Sequence, residues 1–348
     1  ATQEFDRSLR VVAIGGGTGL STLLRGLKRF VATPSGSQPL SDSHCKDPRV
    51  TACLIRDLSA VVTVTDDGGS SGRLREDFKM LPPGDVRNCM VALSEDEHLL
   101  SRLFQFRFES GELGGHSFGN LFVAALSHIT GDFAQAVQMS SQILATRGRI
   151  FPATNVDVTL SARMDDGSTV DGETSITASS RRIVELFLRP ANATPLPETL
   201  EAIASADLIT LGPGSLYTSL ITNLLVQGIP EALAASRATR VYIGNLMTQA
   251  NESIGLSAAQ HIEKIIQHAG GHRIFDFALI NTEPISPQLL QKYASEGQQP
   301  IEADLDRIRA LGVEPITGQF VHEGDVLRHD YDRVTELLLN LALYRSSR

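Results

Sequence analysis

Cysteine is scarce in this chain: Cys45, Cys53 and Cys89 are its three thiols among 348 residues, odd in number and without a CxxC or Cys/His spacing. Neither a disulfide framework nor a zinc site is indicated, and scattered thiols fit a reducing compartment. No apolar run approaches the roughly 20 residues of a membrane span. Ala1 to Ser8 read as a loose lead-in without a signal-peptide pattern, so the cytoplasm is the expected location. Positive charge is also short, with Lys+Arg 31 against Asp+Glu 40 and a formal net charge of −9. The chain as a whole therefore attracts neither nucleic acid nor an anionic membrane. An anionic ligand must be held by backbone donors and a few arginines. No nucleophile–base pair is evident in the spacing of the reactive side chains.

What is present is a globular composition, 42% hydrophobic and 20% charged, in a chain long enough for a large core. Apolar runs predict strands at Arg10–Ile14, Val50–Leu54, Ala60–Thr65, Asp207–Leu211, Arg240–Leu246 and Phe275–Ile280. Helical spacing predicts helices at Thr18–Phe30, Ser71–Phe78, Pro83–Leu93, Leu99–Phe106, Phe118–Ile129, Phe133–Leu144, Ala258–His268 and Arg333–Tyr344. Residues 32–48 read as a surface loop. Val156–Ser161 and Ser168–Ile176 alternate around an Asp165-Asp166-Gly167 turn, with Arg181–Leu188 able to pair with them. The fold class is α/β: a Rossmann-like, mainly parallel sheet with helices on both faces, in a single large domain over residues 1–348. A small inserted β-hairpin element occupies 150–190.

Two strands run into glycine-rich loops. The first leads to Gly15-Gly16-Gly17-Thr18-Gly19 and the second to Gly212-Pro213-Gly214-Ser215. Each loop opens an apolar segment of helical spacing, an arrangement that presents bare backbone N–H groups to phosphate. Four glycines in five residues exceed what a tight turn requires. Leu20 stands where a dinucleotide fingerprint needs its third glycine, which disfavours a nicotinamide oxidoreductase. A Walker A loop is absent because no Gly-Lys-Ser/Thr follows. Ser215 and Thr218 add donors to the second loop.

A third strand end carries Asp66-Asp67-Gly68-Gly69-Ser70-Ser71-Gly72-Arg73. Asp66 and Asp67 could hold Mg²⁺ beside phosphate, grip ligand hydroxyls or serve as a base, and Arg73 could neutralise phosphate. The bland reading is a turn with Ser70 capping the next helix. Asp85 and Arg87 stand at a helix start. In Gly115-His116-Ser117-Phe118-Gly119-Asn120, Ser117 is a candidate cap and Asn120 a candidate base or sugar contact. His116 reads more readily as a loop histidine than as a catalytic acid.

These blocks, with Leu81–Asn88, Gly212–Tyr217 and Asn245-Leu246-Met247-Thr248-Gln249, occur in an order that strongly resembles the gluconeogenesis factor (YvcK-like) family. Its superfamily contains 2-phospho-L-lactate transferase (CofD), and the likeness covers essentially the whole chain. The resemblance implies a cytoplasmic protein for gluconeogenic growth and normal cell shape that binds UDP-sugars such as UDP-N-acetylglucosamine. For the transferase relatives it implies phospholactyl transfer from a guanosine diphosphate donor to a deazaflavin, with Mg²⁺. By position, the glycine loops and Asn245 would meet the nucleotide, and Asp66 and Asp67 would face the sugar or metal side. Whether any reaction is catalysed stays open; an enzyme of this kind would transfer phosphorus-containing groups. A homo-oligomer and a regulatory protein partner also stay open. The segment after the Met-Thr-Gln block reads Gly255-Leu256-Ser257, without the aromatic residue that relatives often carry there, which puts base stacking in doubt.

Overall fold

Residue 9 enters a strand whose seven residues are buried except for Arg10, the pattern of a strand covered on both faces. The computed structural model describes residues 8–32, 54–95 and 99–346. The strand expected at Val50–Leu54, the 32–48 loop, Cys45 and Cys53 lie almost wholly outside the described residues.

Among the described residues the strands are β1 (Leu9–Gly15), β2 (Ile55–Val62), β3 (Arg149–Pro152), β4 (Thr159–Met164), β5 (Thr169–Asp171), β6 (Ile183–Arg189), β7 (Leu208–Leu211), β8 (Thr239–Ile243), β9 (Phe277–Asn281), β10 (Glu314–Gly318), β11 (Val321–Glu323) and β12 (Leu327–His329). Seven form one parallel sheet in the order β10-β9-β8-β7-β1-β2-β3. The chain winds outward from β1 through β2 to β3, then returns to β7 and winds the other way. The reversal lies between β1 and β7, and ligands of such sheets bind in the crevice at this switch point. Both glycine loops leave from it.

The first helix, Gly17–Lys28, packs Leu20, Leu23, Leu24 and Leu27 into the core with no exposed area. At the opposite end of the sheet, aspartates lock neighbouring strands together. Asp207 accepts from the Arg10 backbone N–H at 2.8 Å, while its own N–H bonds the Arg10 carbonyl. Asp276 repeats this bracket with Arg240 and adds a buried ion pair at 2.9 Å. Arg345, on the C-terminal helix Tyr331–Ser346, reaches the same carboxylate at 2.7 Å.

A second sheet, ordered β5-β4-β6 and antiparallel, lies within residues 159–189. The strand expected over Ser168–Ile176 stops at Asp171, and Glu173–Ala178 is a helix. Gly172, at φ 92°, turns the chain out of the strand, and Asp67 then binds both the N–H and the hydroxyl of Thr174. The segment after the second glycine loop, Leu216–Ile221, is a π-helical turn, a form concentrated at functional sites. No helix among the described residues is long and apolar enough to cross a membrane.

Candidate functional site at the sheet switch point

Among the described residues, Ser117, Asp132 and Ser257 cap the helices that follow them, each accepting an N–H from the first turn. The two segments that follow the glycine loops are not. Gly16 and Ser215 stand at their caps without a side-chain hydrogen bond. Gly15, Gly16 and Gly212 are buried, whereas Gly17, Thr18, Gly19, Gly214 and Ser215 keep surface open to the crevice. The loops lie backbone against backbone: a Cβ on Gly19 would collide with Pro213, and the Cβ position of Gly214 is 3.7 Å from the Gly16 carbonyl. The Gln249 amide steadies the second loop by donating to Ser215 Oγ at 2.9 Å.

The loops are not bare, which corrects the expectation from sequence. The carboxylate of Asp85, on the helix Gly84–Leu93, takes the Gly17 N–H. Glu252 does the same at the second loop, accepting from the Tyr217 and Thr218 backbones and from Thr218 Oγ1 at 3.3 Å. Each glycine-rich turn thus already faces an internal carboxylate. Both carboxylates are half-buried. Burial pushes Asp85 up to about 6, with the charge of Asp66 adding to the rise and the Gly17 N–H and Arg87 opposing it. Burial likewise pushes Glu252 up to about 6, against the hydrogen bonds from Tyr217 and Thr218.

Asp66 and Asp67 point to different work. Asp66 Oδ1 accepts from Gly68 N at 2.9 Å, and its Oδ2 lies 3.0 Å from the Cβ position of Gly84. Asp67 is held by Thr174 at 2.8 Å and 2.6 Å and packs on Gly172, so it anchors the inserted sheet to the crevice. The carboxylate that joins Asp66 over the crevice is Asp85. Glu173, delivered by the inserted element, completes the acidic wall and accepts from Thr65 Oγ1 at 3.2 Å. Burial, then the charges of Asp66 and Asp85, push it up to about 9, so it is protonated at neutral pH. Among the described residues no three acidic, His or Cys side chains could hold a metal ion by themselves. Asp66 and Asp85 fit Mg²⁺ in the manner of phosphate sites, where one or two carboxylates share the ion with ligand and water oxygens.

Basic and polar residues form the opposite flank. Arg73 donates to Gly114 O at 2.9 Å and Arg107 to Gly115 O at 2.5 Å, pinning the loop that carries His116. Arg87 feels Arg107 as well as Asp85 and Asp66, and its Nε is buried without a partner. Ser70, Asn120 and His116, from two separate sequence blocks, meet here: Ser70 Oγ is 3.0 Å from His116 Nδ1, and Asn120 donates to Ser70 Oγ at 3.1 Å. Asn245, just beyond the end of β8, lines a small separate recess with Tyr242, His261 and Asn281. His261 gives Nδ1 to the Ser257 carbonyl, and its buried Nε2 has no partner.

The candidate site residues therefore divide. The glycine loops, Ser215 and Asp66 share the switch-point crevice; Ser70, Arg73 and Asn120 form its flank; Asn245 borders the adjoining recess. Asp85, Glu173 and Glu252 are the residues that sequence reasoning did not place. Asp85 stood in a quoted block, and its signal was an acidic residue in the first turn of a helix. Glu173 and Glu252 gave none.

Fold and crevice define an α/β protein that presents two glycine-rich turns at one switch point. The chain matches the family model described as 2-phospho-L-lactate transferase CofD over residues 11–321, and it belongs to this family. A gluconeogenesis factor of Halalkalibacterium halodurans is 48% identical over 331 residues, covering 94% of this chain and 95% of that one. The gluconeogenesis factor of Bacillus subtilis is 45% identical over 334 residues, covering 95% and 98%. A crystal structure of a Bacillus halodurans protein superposes with a TM-score of 0.87 at 47% identity, covering 95% of this chain and 99% of that one. A second, described as a member of the UPF0052 family from the same organism, gives 0.86.

Proposed function

We propose that this chain is a cytoplasmic regulatory protein that binds a nucleotide sugar, with the diphosphate of a UDP-sugar at the switch point, and that it serves gluconeogenic growth and cell shape. The observation that carries the reading is the meeting of two turns without side-chain caps, Gly16–Gly19 and Gly214–Ser215, backbone against backbone in one crevice. Phosphate oxygens suit such donors, and the carboxylates beside them suit sugar hydroxyls. The relatives named gluconeogenesis factor support the part of the proposal that concerns gluconeogenic growth.

A second reading, a Mg²⁺-dependent phosphotransferase, is favoured by Asp66 and Asp85 on one side of the crevice and by the family model. Those two residues would hold the ion, which would supply charge stabilisation to a phosphoryl group. Thermal-shift titration separates the readings, because a ligand bound only by the native state raises stability by about 2.7 kcal/mol at a hundred times its Kd. UDP-N-acetylglucosamine should stabilise the protein without turnover and with little dependence on Mg²⁺. Stabilisation by a guanosine diphosphate derivative alone, and only with Mg²⁺, reverses the ranking.

A further inference from the structure

The sequence showed no nucleophile–base pair, yet the fold builds one. Ser70 lies in the first turn of the ten-residue helix Gly69–Phe78, and His116 reaches it from the loop before Phe118. The two side chains are 5% and 7% exposed, so bulk water does not compete for their hydrogen bond. Asn120, 2% exposed, donates from Nδ2 to Ser70 Oγ and thereby leaves the hydroxyl proton for His116 Nδ1. The other amide atom, Oδ1, is buried without any partner, an unmet acceptor at the same spot. Burial, reinforced by the nearby Arg73 charge, holds His116 below its ordinary value, so the ring is neutral and able to accept at pH 7. With one bond to His116 and one from Asn120, Ser70 Oγ keeps a second lone pair for an electrophile.

The geometry points to Ser70 as a nucleophile, paired with His116 as its base and taking a phosphoryl group. The class of electrophile follows from the surroundings. The guanidinium groups of Arg73 and Arg107 border the His116 loop, and first-turn N–H groups of a helix favour an anion. In the step, Ser70 Oγ forms a bond to phosphorus while the bond from phosphorus to the leaving oxygen breaks. The leaving oxygen keeps that electron pair. The Ser70 proton passes to His116 Nδ1 and from there to the leaving oxygen. Water, as the second reactant, then attacks phosphorus and gives a proton to His116; the bond from phosphorus to Ser70 Oγ breaks, and His116 passes that proton to Oγ, restoring the hydroxyl and releasing phosphate. This activity goes beyond the nucleotide-sugar reading and does not depend on which nucleotide the crevice holds.

Diisopropyl fluorophosphate tests it on the full chain, because Ser70 must then displace fluoride from phosphorus and hand its proton to His116. Intact-mass and peptide analysis should find one adduct, on Ser70, and none in Ser70→Ala. In His116→Gln, labelling should slow by about 100-fold or more, the usual share of a general base. Inorganic pyrophosphate should protect the wild type. Absence of an adduct on Ser70 in the folded wild-type protein overturns the proposal without recourse to any variant. Labelling of a folded His116→Gln protein at the wild-type rate overturns the role of His116. Failure of pyrophosphate to protect overturns the phosphoryl class.

Discussion

A Cβ on Gly19 would fall on the carbonyl oxygen of Pro213, well inside van der Waals contact. This close approach joins the first glycine loop to the second. Gly16 differs: its Cβ position faces Thr63 Cγ2 at 2.5 Å and Asp85 Oδ2 at 2.8 Å, the interior side of the loop. Gly19→Ala is therefore expected to push the loops apart, costing about 1–3 kcal/mol as overpacking does and weakening nucleotide binding. Denaturant melts with parallel calorimetry check this; unchanged affinity in a folded variant would remove the contact from the site. Gly16→Ala should act through displaced Asp85 instead.

Asp85 and Glu252 make binding of a metal-free diphosphate pH-dependent. Both stand near 6 in the free protein, and an added anion makes their protonated forms more favourable still. Binding should take up protons, and affinity for pyrophosphate without divalent cations should rise roughly tenfold from pH 8 to pH 6. Calorimetry in two buffers of different ionisation heat measures that uptake. The double variant Asp85→Asn, Glu252→Gln should lose the pH slope and bind more tightly at pH 8.

Glu173 is expected to act as a neutral acid at pH 7. Because its folded value is raised from 4.5 to about 9, its contribution to stability is fully present below pH 4.5 and is lost as pH rises through 9. Glu173→Gln should then match wild type near pH 4.5, melt above it at pH 7 and further above it at pH 10. A large loss at pH 7 would mean that the carboxyl is ionised in the fold.

Asp276 carries the opposite sign. Burial works to raise it, but the hydrogen bonds from Arg240 and Arg345 outweigh that and hold it below the ordinary carboxylate value. Its stabilisation is present above the unfolded value of 3.8 and is lost as pH falls through the folded one. Asp276→Asn leaves Arg240 buried without its counter-ion and should cost about 3 kcal/mol. Urea unfolding at pH 7 reads this directly.

Much of the sheet was legible because buried parallel strands are continuous apolar runs, as in Val11–Ile14 and Leu208–Leu211. The short β3, β10 and the β11–β12 pair were not, since none is a continuous apolar run: Pro152 and Pro315 interrupt the first two, and charged or polar residues fill the pair. The helix at Glu173 escaped notice because Ser and Thr alternate with apolar residues there, and only the tertiary bond from Thr174 to Asp67 selects the turn. The glycine loops announced themselves through composition. Their internal carboxylates did not, because Asp85 and Glu252 lie far in sequence from Gly17 or are brought to Tyr217 by the fold. Ser70 and His116 are 46 residues apart, a separation that conceals any pairing.

A crystal structure of the protein with UDP-N-acetylglucosamine tests the central claim most directly. The account predicts the diphosphate between Thr18–Gly19 and Gly214–Ser215, with Asp85 and Glu252 protonated or turned aside from the Gly17 and Tyr217 N–H groups. A nucleotide bound away from both loops, for instance in the groove lined by Phe78, His128 and Asp157, would contradict it.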